Sequence, residues 1–316
     1  MRKSTRGLIA VSMVAALSLS VTACGKFNEL KARKNFKDAN ALYQQGEYRR
    51  AATEYETALT QDPGLVEAYF YLGNSYDNLY KVTRRGDPEN DKLLDSAIKN
   101  YRIAAEKETN PKMKRLALEY LVAAYGPDKM NDPEQAEPIV RQMIEMDPSE
   151  SANYFGLAKI YEDAGRYDEA AEALEKARQA RPNDPAVYMQ IAGFYNRQGD
   201  FERTIEALQQ RAKIEPNNPE AYYTISTYYW DNAFRNFRLS EAEKKENIER
   251  GLEAATKAID LNPNYMEALT YKNLLLRLKG NLEQDPARRA ALYKEADTLR
   301  NRAIELQKKK TAGVGD

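Results

Sequence analysis

The same ladder of residues returns every thirty-four positions along this chain of 316 residues. One copy runs Leu157, Ala158, Tyr161, Gly165, Tyr167, Ala170, Leu174, Ala177 and Pro182. The next runs Ile191, Ala192, Tyr195, Gly199, Phe201, Thr204, Leu208, Arg211 and Pro216, and an upstream copy reads Ala39, Leu42, Gly46, Tyr48, Ala51, Tyr55, Ala58 and Pro63. Apolar spacings of three and four put these residues on one face of a helix. The glycine falls where a first helix ends, because the left-handed conformation that closes a helix costs least in glycine. The proline follows a second helix, which it stops for want of an N–H. Each period is therefore two amphipathic helices, and neither buries its apolar side unless the pairs stack.

Three further copies are stretched. Leu72, Gly73 and Tyr76 open the second, and Ala97, Tyr101 and Ala104 close it across about twelve extra residues. Leu121, Val122 and Tyr125 open the third, and Ala136, Val140, Met143 and Pro148 close it, with Gly126-Pro127 as the break. Ile225, Ser226 and Tyr229 open the sixth, and Gly251, Ala255, Ala258 and Pro263 close it after about thirteen extra residues. A degenerate seventh pair runs from Met266 to about Gln307, where Arg288, Arg289, Lys294, Arg300 and Arg302 suit a polar end cap. Period and residue order resemble the tetratricopeptide repeat (TPR). That resemblance implies an all-α, right-handed TPR α-solenoid of roughly six repeats plus a C-terminal capping helix pair, with first helices lining a concave side. The array is expected over 32–307, with inserted loops near 80–92 and 230–245 and a disordered tail over 308–316.

The N-terminus carries a separate signal. Arg2, Lys3 and Arg6 precede an uncharged apolar run from Gly7 to Val21. As a helix that run would rise about 22 Å, short of the roughly 30 Å of a bilayer core, which is the shape of an export signal. Val21-Thr22-Ala23-Cys24 then resembles the bacterial lipobox, with the chain's one cysteine at the position that motif requires. The resemblance implies a lipoprotein signal peptide over 1–23, lipidation of Cys24, and a short tether over 24–31. Two or three acyl chains hold a protein on a membrane effectively permanently. Gly25, where enteric-type lipoproteins retained in the inner membrane carry Asp, points to a periplasm-facing outer-membrane location in a diderm host.

Composition removes much of the chemistry. Without a single histidine there is no Ser-His-Asp or Cys-His hydrolase, no His-ligated metal and no His-based acid–base step. One cysteine excludes intramolecular disulfides and multi-cysteine metal sites. Lys plus Arg and Asp plus Glu both total 48, so a nucleic-acid partner is not indicated. No phosphate loop is present, and no cofactor, metal or catalytic residue is assigned. Asp87-Pro88-Glu89-Asn90-Asp91 has an acidic look, but it lacks the glycine and ligand order of a calcium loop and reads as a helix-capping segment.

Recognition remains. Projecting the repeat register places Phe36, Phe70, Phe155, Met189 and Tyr223 at equivalent inward positions of the first helices. One turn on lie Asn40, Asn74, Lys159 and Thr227, and beyond them Tyr43, Asp77, Asn196 and Trp230. Rings flanked by amides make a peptide groove, or else simply pack between helices. TPR domains that clamp a carboxy-terminus carry lysine where Phe36 and Phe70 stand, so an apolar or extended ligand is indicated even though Asn40 and Asn74 match the clamp's asparagines. The insertion after Trp230 offers a second surface, Phe234, Arg235, Phe237 and Arg238, rich in interface-type residues, or else Phe234 and Phe237 extend the helix and fold onto the core. The expected function is a membrane-anchored scaffold binding envelope proteins or a peptide segment. The alternatives are an enzyme-modulating subunit or an enzyme in cell-wall or polysaccharide assembly, and a homodimer formed through the aromatic first helices.

Overall fold

The computed structural model describes residues 26–312. Among these residues every regular element is helical: fourteen α-helices, one 3-10 turn and no strand. Helix α1 covers 26–44. It is followed by α2 (Tyr48–Gln61), α3 (Val66–Leu79), α4 (Pro88–Lys107), α5 (Pro111–Tyr125), α6 (Pro133–Met146) and α7 (Ser151–Asp163). Then come α8 (Tyr167–Ala180), α9 (Pro185–Arg197), α10 (Phe201–Ile214), α11 (Pro219–Arg235), α12 (Glu241–Leu261), α13 (Met266–Leu282) and α14 (Pro286–Thr311). Seven successive pairs result, six repeats and an end pair, as the periodicity predicts. The chain divides into two compact units, the first ending at Ala170 and the second beginning at Ala171, so that the division falls within α8.

The local signals act where the ladder puts them. Gly46, Gly165 and Gly199 have φ of 75°, 72° and 74°, a region an L side chain enters only at a cost of about 1–2 kcal/mol. Pro63, Pro148, Pro182, Pro216 and Pro263 each stand just past the end of a second helix. Helix starts follow a rule that periodicity does not reveal. Six helices begin with proline after an Asp or Asn whose side chain accepts a backbone N–H of the first turn: Asp87, Asn110, Asp132, Asp184, Asn218 and Asp285. Proline's missing donor is an orphan there anyway, and the side-chain oxygen satisfies a neighbour. Asp87 is thus a cap, as its segment predicts.

Small residues sit where helices touch. Ala39, Ala51, Ala170 and Ala192 are fully buried. A second tie recurs at the junctions between repeats. The hydroxyls of Tyr69, Tyr154, Tyr188 and Tyr222 donate to the carbonyls of Pro63, Pro148, Pro182 and Pro216 at 3.4, 3.1, 2.8 and 3.2 Å. Each tyrosine lies six residues after its proline, so the bond fixes how one second helix hands over to the next first helix.

Four expected boundaries change. Residues 26–31 are helical rather than a tether, because α1 begins there. Insertion near 80–92 leaves a short segment with a 3-10 turn at Val82–Arg84, and the remainder joins α4. Insertion near 230–245 is mostly helix: it lengthens α11 and α12, and only 236–240 is non-helical. The Ser240–Glu243 capping box explains the restart, since each residue's side chain accepts the other's backbone N–H. At the C-terminus, 308–311 continue α14 instead of forming a disordered tail, and 313–316 lie outside the described residues. The signal peptide and Cys24 also lie outside them.

In the first unit a charged cluster fastens α6 to the turn after α7. Glu137 accepts from Tyr161 at 2.8 Å, Arg166 at 2.7 Å and Arg141 at 3.0 Å, and the Arg166 guanidinium lies 4.3 Å from the Tyr161 ring centre. Burial pushes the Glu137 carboxyl up, but the hydrogen bonds from Arg166, Tyr161 and Arg141 outweigh it and hold its pKa below the ordinary value of 4.5. A carboxyl with a depressed folded-state pKa stabilises the protein above its unfolded pKa, and that stability is lost as pH falls through the folded value. Glu137→Gln is expected to cost about 1–3 kcal/mol at neutral pH and to flatten the acid limb of the stability profile. Urea titrations at pH 7 and pH 3 read both effects, and an unchanged acid limb would contradict the assignment.

Candidate functional site

The projected row behaves differently in the two units. In the first unit it turns inward. Phe70 is 6% exposed and meets the rings of Tyr71, Tyr101 and Tyr120 at 5.3, 5.9 and 5.3 Å. Phe36 packs on Tyr55 and Tyr71 at 5.8 and 6.0 Å. The amides are occupied as well: Asn40 accepts from Tyr55 at 2.6 Å, and buried Asn74 accepts from the Tyr43 hydroxyl and from Asn78. Asp77 accepts from Lys129 at 2.5 Å and from Tyr101 at 3.3 Å. Phe70 and Asn74 are therefore core residues rather than groove residues. The tyrosines of the neighbouring helices reach them first. Phe155 is half-buried, and exposed Lys159 pairs with Asp163 on its own helix.

In the second unit the row is half-buried and leads to exposed rings. Tyr223 on α11 meets Tyr265 and Tyr271 at 5.3 and 5.5 Å. Trp230, two turns further along α11, meets Tyr271 edge-on at 5.5 Å and stacks on Phe234 at 5.1 Å with an 11° interplanar angle. Beyond the stack, Phe234 is 52% exposed and Phe237 is 94% exposed. Tyr223, Tyr271, Trp230 and Phe234 thus form a ladder of rings on the first helices, partly open to solvent, and Phe237 stands exposed just past the end of α11. Thr227 spends its hydroxyl on the Thr224 carbonyl at 2.7 Å. Arg235 pairs with Asp231 at 2.7 Å, and the Arg238 backbone N–H donates to Asn236. Of the remaining projected positions, Met189 accepts from Arg211 at 3.0 Å, and Asn196 is exposed.

Tyr265 and Tyr271 are members that the register does not predict. The insertion between α11 and α12 shifts every later position, so a thirty-four-residue projection from Tyr223 does not reach α13. Beside the ladder, Tyr223, Met266, Tyr271 and Ile304 border a cleft of about 350 Å³. A larger cleft of about 960 Å³ lies on the face carrying second helices, between α10 and α12. Tyr222, Ile225 and Tyr229 of α11 form its floor, and Lys213, Arg250, Glu253 and Lys257 stand among its rim residues.

Residues 129–192 match the family model described as tetratricopeptide repeat, and residues 39–79 match that described as TPR repeat. Tetratricopeptide repeats are present in this chain. Among solved structures, the C-terminal part of a TPR repeat-containing protein from Cytophaga hutchinsonii is 16% identical, with 86% of this chain and 98% of that one covered at a TM-score of 0.56. YrrB, described as a TPR protein with an unusual peptide-binding site, is 20% identical over 64% of this chain and 96% of its own, with a TM-score of 0.42. MamA from Desulfovibrio magneticus RS-1 is 16% identical over 64% and 97%, also at 0.42. No curated protein matches the chain. The Cytophaga hutchinsonii likeness bears on the fold alone, which is an α-helical TPR solenoid.

The ladder on these TPR helices carries phenols rather than charges. Burial raises the Tyr223 pKa, helped by the neighbouring Tyr271, and burial with Glu220 and Glu267 lifts Tyr265 to about 12. Both remain neutral hydrogen-bond donors at physiological pH. Among the described residues no His, Cys, Asp and Glu cluster is arranged to hold a metal ion. What the arrangement offers chemically is apolar ring surface with hydroxyl and indole donors at its edges.

Proposed function

We propose that this chain is a lipid-anchored interaction scaffold of the bacterial cell envelope, fixed to the membrane through Cys24 and facing the periplasm. On this reading it grips an extended peptide or partner helix along the aromatic ladder of its second unit. The observation that carries the binding half is the ladder itself. Phe36 and Phe70 of the projected row are packed among neighbouring rings, whereas Trp230 is half-buried and Phe234 and Phe237 beyond it are exposed. Tryptophan and tyrosine lose little conformational entropy when covered and act as interface anchors. The anchoring half is supported by the lipobox-like Val21-Thr22-Ala23-Cys24. An enzyme whose activity the protein modulates would count as one such partner.

Crosslinking in the native host tests it. A photoreactive residue at position 237 is expected to capture an envelope protein. Trp230→Ala with Phe234→Ala is expected to reduce that capture at least about tenfold, the loss of two anchor side chains. Capture only from position 257, beside the larger cleft, would move the site to the other face. Capture of nothing but a second copy of the chain would replace the scaffold with a homodimer. Fatty-acid labelling should disappear in Cys24→Ser, and labelling that persists would remove the anchor.

A further inference from the structure

Helix α1 has two sides with opposite chemistry. Ala32, Phe36, Ala39 and Tyr43 recur at helical spacing and form its packed stripe. At 3.6 residues per turn, Phe27 and Leu30 fall on the opposite side together with Lys34 and Lys37. Phe27 is 58% exposed and Leu30 is 68% exposed. No core packing accounts for either. Lys31 places its ammonium 4.5 Å from the Phe27 ring centre, and Lys26 flanks the other edge. Arg33 is paired with Glu29 at 3.1 Å, which leaves the four lysines facing a single acid, Asp38, on this side.

We infer that this outer face of α1 is a docking surface for the headgroup layer of an anionic lipid bilayer. Two apolar side chains ringed by lysines are the composition of a helix lying in a membrane interface. The rings and methyls enter the acyl boundary while the lysine stems reach back to lipid phosphates. Charge complementarity selects the occupant, since each lysine near an anionic surface adds attraction and the face holds a clear basic excess. Position agrees with it. Cys24 stands two residues before Lys26, so acyl chains there would leave at most about 7 Å of extended backbone before the helix. This deepens the anchoring part of the proposed function. Its consequence is that the first repeat lies against the membrane instead of hanging from a free tether.

The test needs no lipid on the protein. Residues 24–316 carrying Cys24→Ser keep every described helix and are floated with vesicles of phosphatidylcholine, with or without phosphatidylglycerol. Binding is expected only to the anionic vesicles, and it is expected to weaken at least about tenfold in Phe27→Ser with Leu30→Ser and in Lys31→Glu with Lys34→Glu. All four positions are exposed, so circular dichroism should be unchanged. Failure of the parent protein to float with anionic vesicles would overturn the inference, as would undiminished binding by both variants. Absence of an acyl group on Cys24 in the native host would instead sink the lipoprotein reading and leave the vesicle result standing.

Discussion

Tyr101→Ala is expected to lower the unfolding free energy by about 3–5 kcal/mol, the range for deleting a large aromatic side chain from a packed core. Tyr101 is fully buried on α4. Its ring contacts Phe70 and Tyr120 at 5.9 and 5.5 Å. It also lies so close to α3 that a Cβ built at Gly73 would come within 2.9 Å of it. That glycine lets a second helix press a ring against the backbone of a first helix, so removing the ring leaves a cavity between the two. Tyr101→Phe keeps the packing and loses only the 3.3 Å bond to Asp77, so it is expected to cost about 1 kcal/mol. Urea denaturation of the two variants separates packing from hydrogen bonding. An alanine variant no worse than the phenylalanine variant would show that the ring is not structural.

The second large effect is expected from Lys129→Ala, at about 3 kcal/mol. Lys129 lies in the turn between α5 and α6, and its ammonium sits 2.5 Å from Asp77 on α3, whose side chain is 10% exposed. Removing the cation leaves a nearly buried carboxylate with only the Tyr101 hydroxyl beside it. Adding Asp77→Asn to the lysine variant should restore at least half of the loss, because a neutral amide needs no counter-charge. Non-additivity in the double-mutant cycle would measure the pairing directly. A single-variant loss within about 0.5 kcal/mol would instead place the pair among ordinary surface ion pairs.

Asp77 also illustrates what a sequence can and cannot disclose. The repeat register puts it on the face of a first helix, and it is on that helix. Its partner is 52 residues away in a different repeat, where the Gly126-Pro127 break gives no hint of a lysine aimed inward. In that break the left-handed residue is Asn131 with φ of 57°, not the glycine. The ring row shows the same limit. Phe70 and Tyr223 occupy equivalent register positions, yet one is enclosed by Tyr101 and Tyr120 while the other joins an open ladder with Tyr265 and Tyr271. Equivalence in register describes a residue's own helix and says nothing of what the adjacent helices carry.

Read alone, the amino-acid order determined the all-helical class, the seven pairs, and the glycine and proline punctuation between them. Those depend on interactions within a few residues: apolar period, the left-handed preference of glycine and the missing donor of proline. Tertiary structure decided which rings are core and which are open, which insertion residues become helix, and which charged groups are paired. Each of those outcomes turns on side chains dozens of residues apart competing for the same space, and only the packed pairs bring them together.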